Sequence, residues 1–158
     1  MTEHTPNIGI ENKALKDINA GLAQTLADTF TLYLKTHGYH WNVTGPHFRS
    51  LHLMLEEQYQ ALFAATDELA ERMRALGDKA PGSMAEMLEL TTIKDHEPTE
   101  DALAMVKNLL RDHEQVATAI RPLVEVAEDA GDGATADLYN ARLAFHEQTA
   151  WMLRSFAA

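Results

Sequence analysis

HWNVTGPHFRSLHLMLEEQYQALFAATDELAERM, residues 40–73, decides how this chain is read. After Pro46 it has the apolar spacing of a long amphipathic helix, with Phe48, Leu51, Leu55, Leu62, Leu69 and Met73 on one face. The same stretch carries His40, His52, Glu56, Asp67 and Glu71. Two imidazoles and three carboxylates on a core-facing helix need a chemical reason. Residues four apart share a helix face, so His52 pairs with Glu56 and Asp67 with Glu71. At 100° per residue both pairs fall on about the same stripe. Their centres, at 54 and 69, are nevertheless about 22 Å apart along the axis. Metal–ligand bonds are about 2 Å long, so one chain cannot bring both pairs to one ion.

A two-fold axis can. If two copies of this helix lie antiparallel, centred between residues 61 and 62, His52 faces Glu71 of the second copy and Glu56 faces Asp67. The arrangement is reciprocal, as a two-fold interface requires. Ala61, Ala64 and Ala65 near the centre predict close approach. His40, twelve residues before His52, can fold over beside it. The spacing therefore predicts two equivalent sites per dimer, with His40, His52 and Glu56 from one chain and Asp67 and Glu71 from the other. Imidazole with carboxylate, and no thiolate, suits iron, manganese or zinc over copper(I). The competing reading is a solvated face, with Glu68–Arg72 and Glu71–Arg74 as intrahelical salt bridges.

Working outward, Leu15, Ile18, Leu22, Leu26, Phe30, Tyr33 and His37 predict a first helix from about Ile10, ending near Gly38 or one turn later before Thr44-Gly45. Pro46 suits the first turn of the second helix, and Gly77 its end. Residues 77–98 form a long link in which Ser83-Met-Ala-Glu86 is a capping-box pattern, predicting a short helix over 83–90. A third helix follows from about Thr99 to Glu128, with Pro122 expected to kink it or end its regular part. AGDG, residues 130–133, breaks it from a fourth over 134–156. Two tight hairpins and one long crossover predict an all-α, ferritin-like four-helix bundle with a short extra helix in the link. Residues 1–9 read as a flexible tail and 10–158 as the domain.

At 158 residues the chain fits one domain. It has no cysteine, which excludes disulfides and thiolate chemistry. No apolar stretch reaches a membrane span and the start lacks a signal-peptide pattern, so a cytoplasmic protein is expected. The net charge of −11 disfavours nucleic acid and anionic membranes and favours cations. HExxH, GxxxxGK[ST] and GxSxG are absent, as is the Glu-x-x-His pair of intrasubunit di-iron bundles. His47, His96, His113 and His146 read as structural, and so does His37, one turn before His40; whether His37 or His4 adds a metal position stays open.

HWNVTGPHFRSLH, then Glu56, then DELAER at 67–72, closely resembles the signature of the Dps family, the mini-ferritins of the ferritin superfamily. The pattern H-W-N-x-x-G-x-x-F-x-x-L-H, an acid four residues on, then D-x-x-A-E-R is matched throughout. The chain length, the short helix in the link, TADL at 135–138 and Trp151 extend the likeness over nearly the whole chain. The resemblance implies a hollow dodecamer built from two-fold dimers. It implies ferroxidase sites that oxidise Fe(II), preferentially with hydrogen peroxide, O2 being the other oxidant, and a stored ferric mineral. It carries the same five ligands onto the same division between subunits. Zinc or manganese can substitute at such sites. Trp41 matches the tryptophan beside the family's site, where it quenches radicals. Glu128, Asp132 and Asp137 are candidates for the family's acidic three-fold pore. The chain departs from DNA-binding members: residues 1–12 hold no Lys or Arg, and WMLRSFAA only Arg154. No tight DNA binding is expected, and protection of DNA would be indirect. The alternatives are a DNA-packing nucleoid protein and a metal-buffering oligomer without redox turnover.

Overall fold

In the computed structural model, residues 5–158 are described; His4 and the first part of the expected tail lie outside them. The chain forms α1 (Asn12–Asn42), α2 (Phe48–Ala75), α3 (Met84–Leu90), α4 (Ala102–Asp129) and α5 (Gly133–Phe156). Helix α1 packs on α2, α4 and α3, and α5 packs on α4. Tyr39 meets Asn108 and Lys35 meets Asp112, so α1 and α4 run antiparallel. The link therefore returns the chain along the bundle and leaves α2 and α4 parallel. This is the ferritin-like four-helix bundle with its extra short helix.

Leu22, Leu32, Leu51, Leu55, Leu62, Leu69, Leu109, Val116 and Leu153 are fully buried and form the core. Both α2 and α4 end in Schellman motifs. Gly77 (φ 88°) and Gly131 (φ 75°) take the left-handed position that a Cβ would penalise. The amides of Asp78 and Asp132 close back on the carbonyls of Met73 and Ala127. Ser83 and Glu86 form the reciprocal capping box at the start of α3. Helix α4 starts at Ala102, later than Thr99, because the Asp101 carboxylate takes the N-cap and accepts from the Ala104 amide. It continues through Pro122 to Asp129 and does not end early. Leu123 packs against Gly21 beyond the proline, and Ala127 is buried, so packing holds the last turns.

Polar residues of α1 clamp the crossover. Buried Asp28 accepts from the Thr92 amide and the Thr91 hydroxyl. Buried Lys35 donates to the Lys94 carbonyl, Glu97 and Asp112. The Arg111 guanidinium and Lys35 hold the Glu97 carboxyl down at about 2. These bonds fix the second half of α1, which ends in His40 and Trp41.

Candidate metal centre

His40 lies in the last turn of α1 and is buried; His52 lies in the second turn of α2 and is half-buried. Their rings stack at 3.7 Å between centroids and 16° between planes. Nδ1 of His40 donates to the carbonyl oxygen of His52 at 2.8 Å, and Nδ1 of His52 donates to the carbonyl of His40 at 2.8 Å. A carbonyl only accepts, so both Nδ1 atoms carry protons, and the neutral form of each ring then has its lone pair on Nε2. Metal-binding histidines are oriented in this way, with the second ring nitrogen tied to a backbone acceptor. The reciprocal bonds also lock the α1–α2 corner.

Glu56 is half-buried one turn along α2; Asp67 and Glu71 are exposed further down the same helix. No ion pair among the described residues involves any of the three. The intrahelical salt bridges that would make this a solvated face do not form. Arg72 reaches instead across to Asp132 (2.6 Å) and Thr135 (2.9 Å), and Arg74 donates to the carbonyl of Asp78. Within one chain, no group of three or more His, Asp or Glu among the described residues is placed to hold an ion. The fold gathers the two imidazoles and leaves the acids apart and unpaired.

Several sequence-based placements differ in detail. Phe48 does not face the core: it is 44% exposed and lies over the His52 ring at 5.0 Å. Ala65 is buried in the chain's own core, while Ala64 and Phe63 are exposed at the centre of α2. Phe63, 58% exposed, is the apolar group that the sequence reading of this face missed. Asp132 is 3% exposed; it caps α5 through the Thr135 amide and pairs with Arg72, so its carboxylate is committed within the chain. Glu128 and Asp137 are exposed. Trp41 is 60% exposed beside the imidazoles. His47 and His96 are exposed, and His113 and His146 are in the core. His37 stacks on Tyr59 (3.8 Å, 12°), a contact whose only trace in the sequence is the i,i+4 spacing of Tyr33, His37 and Trp41.

A ferritin-like domain model matches residues 19–158. Among curated proteins, an uncharacterized low temperature-induced protein of Nostoc is 43% identical over 152 residues, covering 95% of this chain and 85% of that protein. DNA protection during starvation protein 2 of Bacillus anthracis is 36% identical over 141 residues, 89% of this chain and 97% of its own length. Among solved structures, the Vibrio cholerae Dps protein superposes with a TM-score of 0.93 at 30% identity, over 98% of this chain and 97% of that one. This chain belongs to the Dps family. The Vibrio cholerae structure is described as a member of a superfamily of ferritin-like diiron-carboxylate proteins. Among the described residues of the chain no helix is long and apolar enough to cross a membrane.

Proposed function

We propose that this Dps-family chain is an iron-storage and detoxification protein. It oxidises Fe(II) at sites shared across a two-fold interface and deposits the ferric product inside a hollow dodecamer. The observation that carries the reading is the stacked His40–His52 pair, with both Nδ1 protons on carbonyls, both Nε2 lone pairs free, and Glu56 unpaired one turn away. Asp67 and Glu71 of a second copy supply the remaining oxygen ligands. The exposed Phe63 and Ala64 at the centre of α2 give that copy an apolar surface to close on.

Fe(II) is the substrate. Two Fe(II) ions give one electron each to hydrogen peroxide, which takes two protons and leaves as two waters; O2 is the slower alternative oxidant. Zinc or manganese competes for the same donors without the same turnover. Trp41, exposed beside the site, intercepts radicals that escape. Glu128 and Asp137 form the acidic entry for iron at the three-fold axis. The net charge of −11 per chain concentrates cations and opposes DNA. The protection named for the Bacillus anthracis relative is therefore indirect here, through removal of iron and peroxide.

A mixing experiment tests the division of ligands. A His52→Ala chain and an Asp67→Ala/Glu71→Ala chain should each be inactive alone. In a mixed dimer one site regains every ligand and the other loses both sets. Random co-assembly should therefore restore about a quarter of the wild-type sites. Activity that stays at zero on mixing overturns the shared site, and activity of either variant alone does so too.

A further inference from the structure

Beside the two imidazoles runs a line of aromatic rings outside the five proposed ligands. Tyr59 is 5.1 Å from His40, ring centre to ring centre. His37 lies flat on Tyr59 at 3.8 Å. The Tyr33 hydroxyl reaches Nδ1 of His37 at 3.4 Å. Tyr33 is half-buried, its ring 5.2 Å from Phe63. Tyr33 packs against the edge of the core, and Tyr33, His37 and Tyr59 are all only half-buried, so none of them belongs to the fully buried leucine layers. Stacking of this kind is worth about 1 kcal/mol, and phenylalanine would bury similar area without desolvating a hydroxyl.

The chemistry of the site supplies a reason for the line. Peroxide needs two electrons. A site holding two Fe(II) ions provides both, but a site holding one provides only one, and the second is then taken from whatever lies nearby as hydroxyl radical. A phenol can give that electron only if its proton leaves with it, because a phenol radical cation is a strong acid. Tyr33 has a base within reach in His37, and apo geometry of 3.4 Å is within the looseness such pairs show before substrate binds. Tyr59 has no protein hydrogen-bond partner for its hydroxyl among the described residues, so it relays charge through its stacked ring and does not hold it.

We infer that Tyr33 is a sacrificial electron donor to a half-filled iron site, with His37 as its proton acceptor and Tyr59 as the ring through which the electron passes. The step balances: Fe(II), Tyr33, His37, hydrogen peroxide and two solvent protons give Fe(III), the Tyr33 phenoxyl radical, protonated His37 and two waters. The inference rests on the ferroxidase reading above and extends it from the filled site to the half-filled one. It differs from radical capture by Trp41, whose exposed indole meets a radical already released.

The full-length assembled protein is loaded with less Fe(II) than it has sites, given hydrogen peroxide, and freeze-quenched for electron paramagnetic resonance, with Fe(III) and spin-trapped hydroxyl radical measured in parallel. The wild type should form Fe(III) and an organic radical whose signal narrows when the protein carries ring-deuterated tyrosine and not when it carries ring-deuterated tryptophan. Per iron oxidised, Tyr33→Phe should lose that signal and release several-fold more trapped hydroxyl radical. His37→Phe, which keeps a ring on Tyr59 and removes the base, should do the same. Fe(III) formation without an organic radical, a signal that narrows only with deuterated tryptophan, or a signal that survives Tyr33→Phe overturns the relay and leaves the ferroxidase standing. Fe(III) forming no faster than in buffer overturns the ferroxidase and the relay with it.

Discussion

His40–His52 and His113–His146 are both histidine pairs joining neighbouring helices, and their hydrogen bonds give them opposite characters. At the first, each ring spends its Nδ1 proton on a carbonyl, which leaves two lone pairs at an open corner of α1 and α2. At the second, Nδ1 of one ring meets Nδ1 of the other at 2.9 Å inside the α4–α5 seam. Both rings there are completely buried, and both Nε2 atoms lack a protein partner. The mutual bond needs one proton, so one Nε2 carries the pair's second proton and the other a lone pair. Among the described residues, Arg142 is the cation that acts on the pair and no carboxylate does. One pair leaves its second nitrogens open at the α1–α2 corner; the other is shut inside the core. Residue type is the same, and the second nitrogen's partner makes the difference.

Alanine at each pair should break the comparison cleanly. His52→Ala removes a proposed ligand and should lower iron affinity or oxidation by about 100-fold, while costing about 1 kcal/mol of fold stability. His113→Ala should leave peroxide-dependent iron oxidation in place and cost roughly 2–3 kcal/mol, through the cavity and the orphaned partner ring. Iron oxidation rates and denaturant melts on the two variants read both quantities. A loss of iron oxidation in His113→Ala with the assembly intact would put the buried pair in the chemistry and void the contrast.

The same comparison marks how far the sequence could be read. Helix order, the long crossover, the capping box at Ser83 and the meeting of His40 with His52 were legible, because each depends on local spacing or on a matched motif. What a surface faces was not. Periodicity gave Phe48 to the core, yet it covers His52; Phe63 passed unnoticed, yet it is exposed where a second copy would close. An N-cap aspartate and a pore aspartate look alike in sequence, and only the reach of Arg72 from α2 shows that Asp132 is the former. The intrahelical bridge expected from Glu68 and Arg72 lost for the same reason. His113 and His146 are 33 residues apart, and no local pattern announces that their rings meet.

Acid should act on the buried pair first. Burial holds His113 down at about 3, against an unfolded value of 6.5, and pushes His146 down as well, with His113 and Arg142 adding to the effect. Below pH 6.5 the unfolded chain binds protons that the folded core refuses, so stability must fall as pH falls, down to about pH 3. The slope is about 1.4 kcal/mol per pH unit for each such histidine, which puts the loss from His113 near 3 kcal/mol at pH 4.5. Glu97, held at about 2, adds its own loss only below about 4.5, and buried Asp28, whose carboxyl is raised by burial, works in the opposite sense as pH falls toward 3.8. Between pH 6.5 and 4.5 the two buried histidines dominate the slope, with His37, lowered by burial and by His40, adding to it and Asp28 opposing it. Urea melts across that window should show the slope; a flat profile would mean that the pair accepts a proton in the folded state.

The smallest effect is the most discriminating. His113→Leu/His146→Leu removes both members of the buried pair together, so no ring is left with an unmatched nitrogen. Truncating one partner of a buried hydrogen bond leaves the other desolvated, whereas apolar replacement of both at similar volume is close to neutral. The double variant should thus lie within about 1 kcal/mol of wild type at pH 7, less than the single His113→Ala. Two orphaned Nε2 atoms disappear with the imidazoles, and the seam between α4 and α5 becomes continuous with Val116, Leu143 and Leu153. Its stability should also lose most of the slope between pH 6.5 and 4.5, the remainder coming from His37, while iron oxidation persists. Placing the same double substitution at His40 and His52 should instead abolish the iron chemistry. If instead the buried double variant keeps the acid slope, the titrating groups lie elsewhere and the contrast between the two pairs rests on ligation alone.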